Sequence, residues 1–378
     1  MEPSSVYALF SAQYRPHAGG VESFTERLAH QLVAEGNGAV VVTSLLDNSP
    51  AYEVQADGVE VYRLPCFSLM AGRLPISRKN GEYKHEMRDL EQRRITRVLV
   101  NTRFYRHSLE GLRFARRMGA PVVILDHGSA HLTLGNAFLD RFVEGYEHGI
   151  TERVKRFRPT FAGISRASTV WLRHFDIETD YVIPNAIDVD AFQSIASPRD
   201  FRRELDISSG CKLASLVGRL EPEKGVYEFA RSSEQLGKGY VLALAGEGGQ
   251  REKIEALGLP NVALLGNLSQ ADLSALLRDS DIFCLPSRSE GFCTSVLESS
   301  AWGIPPVMTH VGGTDEVMGN PPRYGAYLTG IEPSAIADAI RGIEDAAKER
   351  EGLVKFVREN CSWSNTVRLL ENVFSSIS

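Results

Sequence analysis

The run Ile282-Phe283-Cys284-Leu285, closed by Pro286 and followed by SRSEGFCTSVLESSAWGIP, constrains this chain more than any other stretch. A short run in which every side chain is apolar has to be covered on both faces. That is the pattern of a strand inside a parallel sheet. Gly291 gives a tight bend with close access to the backbone. Cys293 to Trp302 then reads as a helix, closed by Gly303 and Pro305. Glu290 therefore sits in the loop and Glu298 inside the helix. Free N–H groups of the first helical turn, around Cys293 to Ser295, can point at a phosphate. The two carboxylates can accept hydrogen bonds from hydroxyls. The plainer alternative is a strand, a loop and a surface helix with two solvated glutamates.

The same strand, loop and helix unit opens the chain. Val6 to Phe10 reads as a strand and Gln13 to Gly20 as a loop. Val21 to Glu35 carries apolar residues at 21, 24, 28, 29, 32 and 33, the stripe of an amphipathic helix. Gly36-Asn37-Gly38 ends it, and Ala39 to Thr43 is the next strand. Such a βαβ unit is half of a doubly wound sheet. Its loop, His17-Ala18-Gly19-Gly20-Val21-Glu22, is either a plain turn or a place where backbone approaches a ligand. Further strands are predicted at Val59–Arg63, Val98–Val100, Val122–Leu125, Phe161–Ile164 and Tyr181–Ile183. Among them, Val122–Leu125 runs into Asp126-His127-Gly128. Open α/β sheets bind ligands at the C-terminal ends of their strands, so His127, ahead of His131 and His17, stands where a ligand could bind, although a lone histidine is more often a structural hydrogen-bonder.

A second set of strands follows Pro184. Leu213 to Val217 leads into Gly218-Arg219-Leu220-Glu221-Pro222-Glu223-Lys224-Gly225. Arg219 and Lys224, five residues apart around a strand-to-helix loop, can converge on one diphosphate, Arg as a planar fork and Lys as a point charge. Val241–Ala245 runs into Gly246-Glu247-Gly248-Gly249, and Val262–Leu265 into Gly266-Asn267-Leu268. Pro306–Met308 precedes a further loop, Gly312 to Glu316. Trp363 to Ile377 reads as an amphipathic helix.

A length of 378 residues calls for two domains. The expected division is 1–190 with the helix 363–378, and 191–362. A net charge of −6 argues against a general nucleic-acid binder. Within Arg63 to Arg117, 14 basic residues face only 5 acidic ones. This is either a solvated helical face or a surface that meets anionic lipid head groups or a phosphate-linked acceptor. The five cysteines have no paired spacing, so no zinc or redox pattern is expected and a reduced, cytoplasmic compartment is the simpler reading. The N-terminus lacks the basic and apolar regions of a signal peptide. No stretch approaches the roughly 20 apolar residues of a membrane span.

Glu290-Gly291-Phe292 followed by Glu298, with seven residues between the glutamates, resembles the donor-site signature of retaining GT-B glycosyltransferases of the family 4-like type. Gly218-Arg219-Leu220 with Lys224-Gly225 resembles the same family's diphosphate motif, and Gly19-Gly20 before Glu22 its first-domain loop. The resemblance implies two Rossmann-like doubly wound α/β domains facing across a cleft, the last helix crossing back to the first domain. It implies a nucleotide-diphosphate sugar as donor, with UDP-sugar expected, and a hydroxyl of a glycan or lipid-linked acceptor.

The resemblance implies roles for residues as well. Glu290 and His127 attend the sugar. Arg219, Lys224 and the helix start at Cys293-Thr294 attend the diphosphate, and Glu298 the ribose. Gly19, Gly20, Gly218, Gly246, Leu268, Gly291 and Phe292 complete the donor site. The family has glycine or proline where this chain has Cys293 and alanine where it has Ser299; at the hinge, Ala186 replaces the commoner glycine. No Asp-x-Asp pair precedes the site, so transfer without metal or cofactor is expected. No Gly-x4-Gly-Lys-Ser/Thr phosphate loop occurs either. Acceptor pockets are expected in the loops Cys66 to Lys84 and Ala130 to Asn136. Two other readings stay open: a sugar-nucleotide epimerase of similar fold, and a non-catalytic transferase-like partner.

Overall fold

The structure, a computed structural model, describes residues 4–17, 19–69, 74–131, 137–343 and 350–377. The chain divides into two units, Met1–Ile183 with Trp363–Ser378, and Pro184–Ser362.

The first unit is built on β1 (Val6–Phe10), β2 (Gly38–Leu45), β3 (Tyr52–Val54), β4 (Glu60–Leu69), β5 (Leu74–Ser77), β6 (Arg97–Asn101), β7 (Val122–Asp126) and β8 (Thr160–Gly163). Their order across the sheet is β3-β4-β2-β1-β6-β7-β8, with β5 paired to β4. β1 pairs in parallel with both β2 and β6, so the strand order reverses beside it. That reversal opens a crevice at the strands' C-terminal ends. The central strands are apolar on both faces because helices cover both. Ala8, Phe10, Val40, Val42, Val98, Val100 and Ile124 form one core with Leu112 and Phe114 of the helix Arg106–Met118. The expected first helix is Gly20–Ala34, burying Phe24, Leu28, Ala29 and Leu32.

The C-terminal helix Trp363–Ile377 is part of this unit. Trp363 packs on Phe24 with ring centroids 5.6 Å apart, and Phe374 meets Tyr7 edge to face at 5.8 Å. Burial of those two aromatics gives the helix its place.

The second unit holds β9 (Lys212–Val217), β10 (Tyr240–Ala245), β11 (Val262–Gly266), β12 (Ile282–Leu285), β13 (Pro306–Met308) and β14 (Ala326–Tyr327), in the order β11-β10-β9-β12-β13-β14. Every pairing is parallel. All four side chains of β12 are buried, which accounts for its unbroken apolar run.

Three expectations need correction. Residues 184–190 belong to the second unit, because the Ile187 N–H donates to the Cys361 carbonyl (2.9 Å) and Asp188 caps the helix Val189–Ser194. The strand expected at Tyr181–Ile183 is reduced to a single bridge between Gly163 and Val182, since β8 stops at Gly163. The helix expected to start at Cys293 spans Thr294–Ala301. Two antiparallel strands, β3 and β5, were not foreseen. Of the two loops expected to receive an acceptor, residues 70–73 and 132–136 lie outside the described residues.

The excess of base in Arg63 to Arg117 is neutralised in part, six of the fourteen bases being paired as follows. Arg63 pairs with Glu53, Arg93 with Glu60, Arg103 with Asp126, Arg113 and Lys79 with Glu110, and Arg117 with Glu91. Among the described residues, no helix is long and apolar enough to cross a membrane.

Candidate active site

In the second unit the loops after β9, β10 and β11 lean on one another. The Gly218 N–H donates to the Ala245 carbonyl (3.0 Å) and the Gly246 N–H to the Gly266 carbonyl (2.8 Å). Gly246 has φ +139°, and a Cβ there would strike the Gly218 carbonyl oxygen, so only glycine fits. Between these loops lies a pocket of about 200 Å³ lined by Gly218, Arg219, Gly246, Glu247, Leu268 and Leu273, among others. Four residues singled out from the sequence thus share one hollow. Arg219 is 71% exposed and pairs at the surface with Glu223 at 3.1 Å.

Lys224 and Glu290 form a close ion pair, with side chains only 16% and 9% exposed. The loops that carry them are clamped together. The Arg288 N–H donates to the Glu223 carbonyl (2.7 Å), and the Ser287 hydroxyl donates to the same carbonyl (3.1 Å). A pair held this dry interacts more strongly than a surface pair.

Cys293 stands just before the helix with φ +69°, a left-handed conformation that a non-glycine residue holds only at a cost of about 1–3 kcal/mol. Glycine at this place in the related signature would carry no such strain. Burial, with the Glu290 carboxylate nearby, pushes the Cys293 thiol up to about 12, so it is no nucleophile. Thr294 opens the helix, and its hydroxyl accepts from Asn185 Nδ2 (2.9 Å). Asn185 Oδ1 in turn accepts from the Ala186 N–H. Glu298 is half-buried one turn further on.

Two supports went unread in the sequence. Gly312 has φ +57°, and a Cβ there would stand 2.8 Å from Glu290 Cβ. The neighbouring Gly313 N–H donates to the Phe292 carbonyl (2.9 Å). The pair Gly312-Gly313 therefore backs Glu290 and Phe292 directly. A glycine pair just after a strand was the available signal.

In the first unit, His127 stands immediately beyond β7. Its Nε2 meets Asn101 Oδ1 at 2.9 Å, and its ring lies edge to face on Phe24, centroids 5.1 Å apart. Asn101 Nδ2 donates to the Thr25 hydroxyl (2.8 Å), which donates to the Val21 carbonyl (2.7 Å). Thr25 oxygen has spent its proton on Val21, so it must accept from Asn101. Asn101 must then present oxygen to His127, so the imidazole carries its proton on Nε2. Burial pushes the His127 pKa down to about 3. The ring is neutral, and Nδ1 is a hydrogen-bond acceptor.

Gly19 caps the first helix with no side-chain partner, and the space beside Gly20 is open. Glu22, 7% exposed, sits at the third helical position with a carboxylate oxygen against Gly19. His17 Nδ1 lies 3.4 Å from its other oxygen. A carboxylate at this helix start satisfies the dipole itself and suits a ligand's hydroxyl better than a phosphate.

Two family profiles match the chain. Glycosyl transferases group 1 matches residues 198–360, and Glycosyltransferase Family 4 matches residues 18–191. The GDP-mannose-dependent alpha-mannosyltransferase of Mycolicibacterium smegmatis is 26% identical, over 85% of this chain and 84% of its own. Sucrose-phosphate synthase from Thermosynechococcus elongatus superposes with a TM-score of 0.73 at 18% identity, over 99% of both chains. Anabaena HepE, solved in complex with UDP and glucose, superposes with a TM-score of 0.69 at 16% identity, over 98% of this chain and 99% of its own. Two mainly parallel α/β sheets, the glycine-braced loops of the second, the last helix packed in the first unit and two profiles that between them run from 18 to 360 agree on one conclusion: the chain belongs to the GT-B glycosyltransferases of the family 4-like type.

Proposed function

We propose that the protein is a retaining transferase that moves a hexose-type sugar from a nucleotide-diphosphate sugar to a hydroxyl of a glycan or glycolipid. The observation that carries this reading is the buried Lys224–Glu290 pair, five residues along the loop from Arg219 in its pocket. The pocket between the β9, β10 and β11 loops takes the base, Glu298 the ribose, and Arg219, Lys224 and the Thr294 helix start the diphosphate. The C1–O bond to the diphosphate breaks with its electron pair going to the phosphate oxygen. The acceptor oxygen bonds to C1 from the same face and passes its proton to the departing diphosphate. Lys224 exchanges its carboxylate for the growing phosphate charge, a stabilisation of the kind that dominates such steps. Glu290 then faces the positive character at C1. His127 Nδ1 accepts from a sugar hydroxyl. Arg219 and Lys224 supply the cationic charge, so no metal or further cofactor is assigned to the transfer. UDP is the first choice of nucleotide because HepE was solved with it, and GDP the second because the mycobacterial relative is named for GDP-mannose.

Nucleoside diphosphate release, measured with and without an acceptor panel, tests this, with the anomeric configuration of the product read by NMR. Release only with acceptor, with configuration kept, is expected. Release or isomerisation of the sugar without acceptor favours an epimerase, and no turnover with any donor favours a non-catalytic partner.

Glu298→Ala is expected to weaken nucleoside diphosphate binding by about 1–3 kcal/mol, the cost of unpaired ribose hydroxyls. Titration calorimetry reads it, and unchanged affinity rejects the ribose role.

A hollow of about 390 Å³ in the first unit is lined by Arg106, Arg153 and Arg156, and by Lys79 and Arg113 paired with Glu110, so its net charge is positive. We assign it to an anionic acceptor or lipid head group. Co-sedimentation with anionic liposomes should be strong in low salt and lost in high salt. Association indifferent to both salt and lipid charge removes the assignment.

A further inference from the structure

We infer that the first unit carries a zinc site, made by His131, Glu144, His148 and His174 and separate from the residues assigned to transfer. His131 Nε2 and His174 Nε2 are 3.2 Å apart, and His174 Nε2 and His148 Nε2 are also 3.2 Å apart. Glu144 Oε1 lies 3.6 Å from His131 Nε2. The four ligand atoms all fall within 4.8 Å of one another. Around a tetrahedral zinc with bonds of about 2.0–2.1 Å, neighbouring ligand atoms are about 3.3 Å apart. The two spacings from His174 Nε2 match that value, and the other ligand atoms lie close enough to contract onto one ion.

The charges point the same way. His131 Nδ1 is 3.0 Å from Glu147 Oε2, whose residue is only 1% exposed. A carboxylate on Nδ1 keeps the proton there and leaves a bare lone pair on Nε2. That lone pair faces another imidazole nitrogen and the Glu144 carboxylate, an arrangement that a cation at the centre resolves. A buried carboxylate behind a ligating histidine is also the usual support of a metal-bound imidazole, fixing its tautomer and orientation. Glu147 is itself held by Arg103 (3.4 Å), which pairs with Asp126 at the end of β7 (3.0 Å).

The rings are held in place by packing. His174 stacks on Trp171, centroids 4.9 Å apart and planes 4° from parallel, and His131 meets the same indole edge on at 4.8 Å. Glu144 and His148 are four residues apart on the helix Ala137–Lys155 and so share a face. His174 lies on the 3-10 turn Arg173–Phe175. One ion would thus tie together the loop after His127, a long helix and this turn. With three imidazoles and a carboxylate the sphere is closed, as in structural rather than catalytic zinc sites. Neutral imidazoles and one carboxylate suit zinc, and cobalt takes the same ligands as a visible probe.

The test is metal content and stability of the whole chain, neither of which depends on transfer. After dialysis against chelator, zinc should rebind at one per chain and raise the Tm by several degrees. Cobalt should give the intense visible bands of four-coordinate ions. His148→Ala and His174→Ala should each lose at least tenfold in zinc affinity, and Glu144→Gln less, while His30→Ala, at an exposed histidine, keeps full stoichiometry. The cobalt spectrum of the unaltered chain decides the matter even if a variant folds poorly. Octahedral or absent cobalt bands, a Tm indifferent to both chelator and zinc, or unchanged stoichiometry in the His148→Ala, His174→Ala double variant would each overturn the site.

Discussion

Lys224→Ala lowers the turnover of bound donor by about 10²–10³-fold, with a smaller loss of donor affinity. Two effects add. The charge that Lys224 meets grows as the diphosphate departs, so its removal costs more in the transition state than in the ground state. Glu290, a carboxylate only 9% exposed, also loses the cation that now compensates it at close range. Replacing Glu290 as well removes that second penalty, so the double variant Lys224→Ala, Glu290→Gln should fall by less than the product of the single losses. Arg219→Ala should cost within about tenfold, because its side chain is largely solvated. Single-turnover kinetics separate the two quantities. If Lys224→Ala weakens donor affinity while bound donor turns over as before, the residue binds and does nothing more.

His127→Ala should cut transfer on the order of 10–1000-fold and leave nucleoside diphosphate affinity unchanged. Its described partners, Asn101 and Phe24, lie in the first unit, whereas the proposed diphosphate ligands lie in the second. Thr25→Val should reproduce part of the loss, since it frees Asn101 to turn and present nitrogen to the imidazole. His30→Ala, an exposed histidine bonded to Asp57, is the control. The pH dependence follows from a pKa pushed down to about 3 against an ordinary value near 6.5. Between those values the unfolded chain holds a proton on this ring that the folded chain does not. The stability contributed is therefore full above about 6.5 and is lost as the pH falls toward 3. His127→Asn should flatten that acid loss in thermal melts across the same window. Transfer itself should show no limb from this group between pH 5 and 8. An acid limb near 6.5 that vanishes in His127→Asn would contradict the buried, neutral ring.

Much of the frame was legible because its signals are local. β12 has four buried side chains and four apolar letters, and the last helix starts and stops where its stripe does. The strand-to-helix loop that carries both Arg219 and Lys224 was legible for the same reason. What stayed hidden depends on partners far apart in sequence. Asn101 meets Thr25 across 76 residues, and Asn185 meets Thr294 across 109. Glu22 read as part of a glycine loop, yet its carboxylate folds back against Gly19 at the helix start. The proposed zinc ligands escaped because cysteine spacing was the pattern sought, whereas three histidines and a glutamate come from a loop, a helix and a turn. The domain boundary moved because bonds distant in sequence, Asn185 to Thr294, Ile187 to Cys361 and Asp190 to Arg358, tie the linker to the second unit.

Titration calorimetry of the unaltered protein with a nucleoside, its monophosphate, its diphosphate and the diphosphate sugar, in both the uridine and guanosine series, addresses the donor site most directly. In the proposed donor site, Arg219, Lys224 and the Thr294 helix start share two phosphates. One site per chain is expected, with the diphosphate binding at least about tenfold tighter than the monophosphate, a difference of about 1.4 kcal/mol or more. Saturable binding of no diphosphate in either series, or monophosphate bound as tightly as diphosphate, would contradict the account.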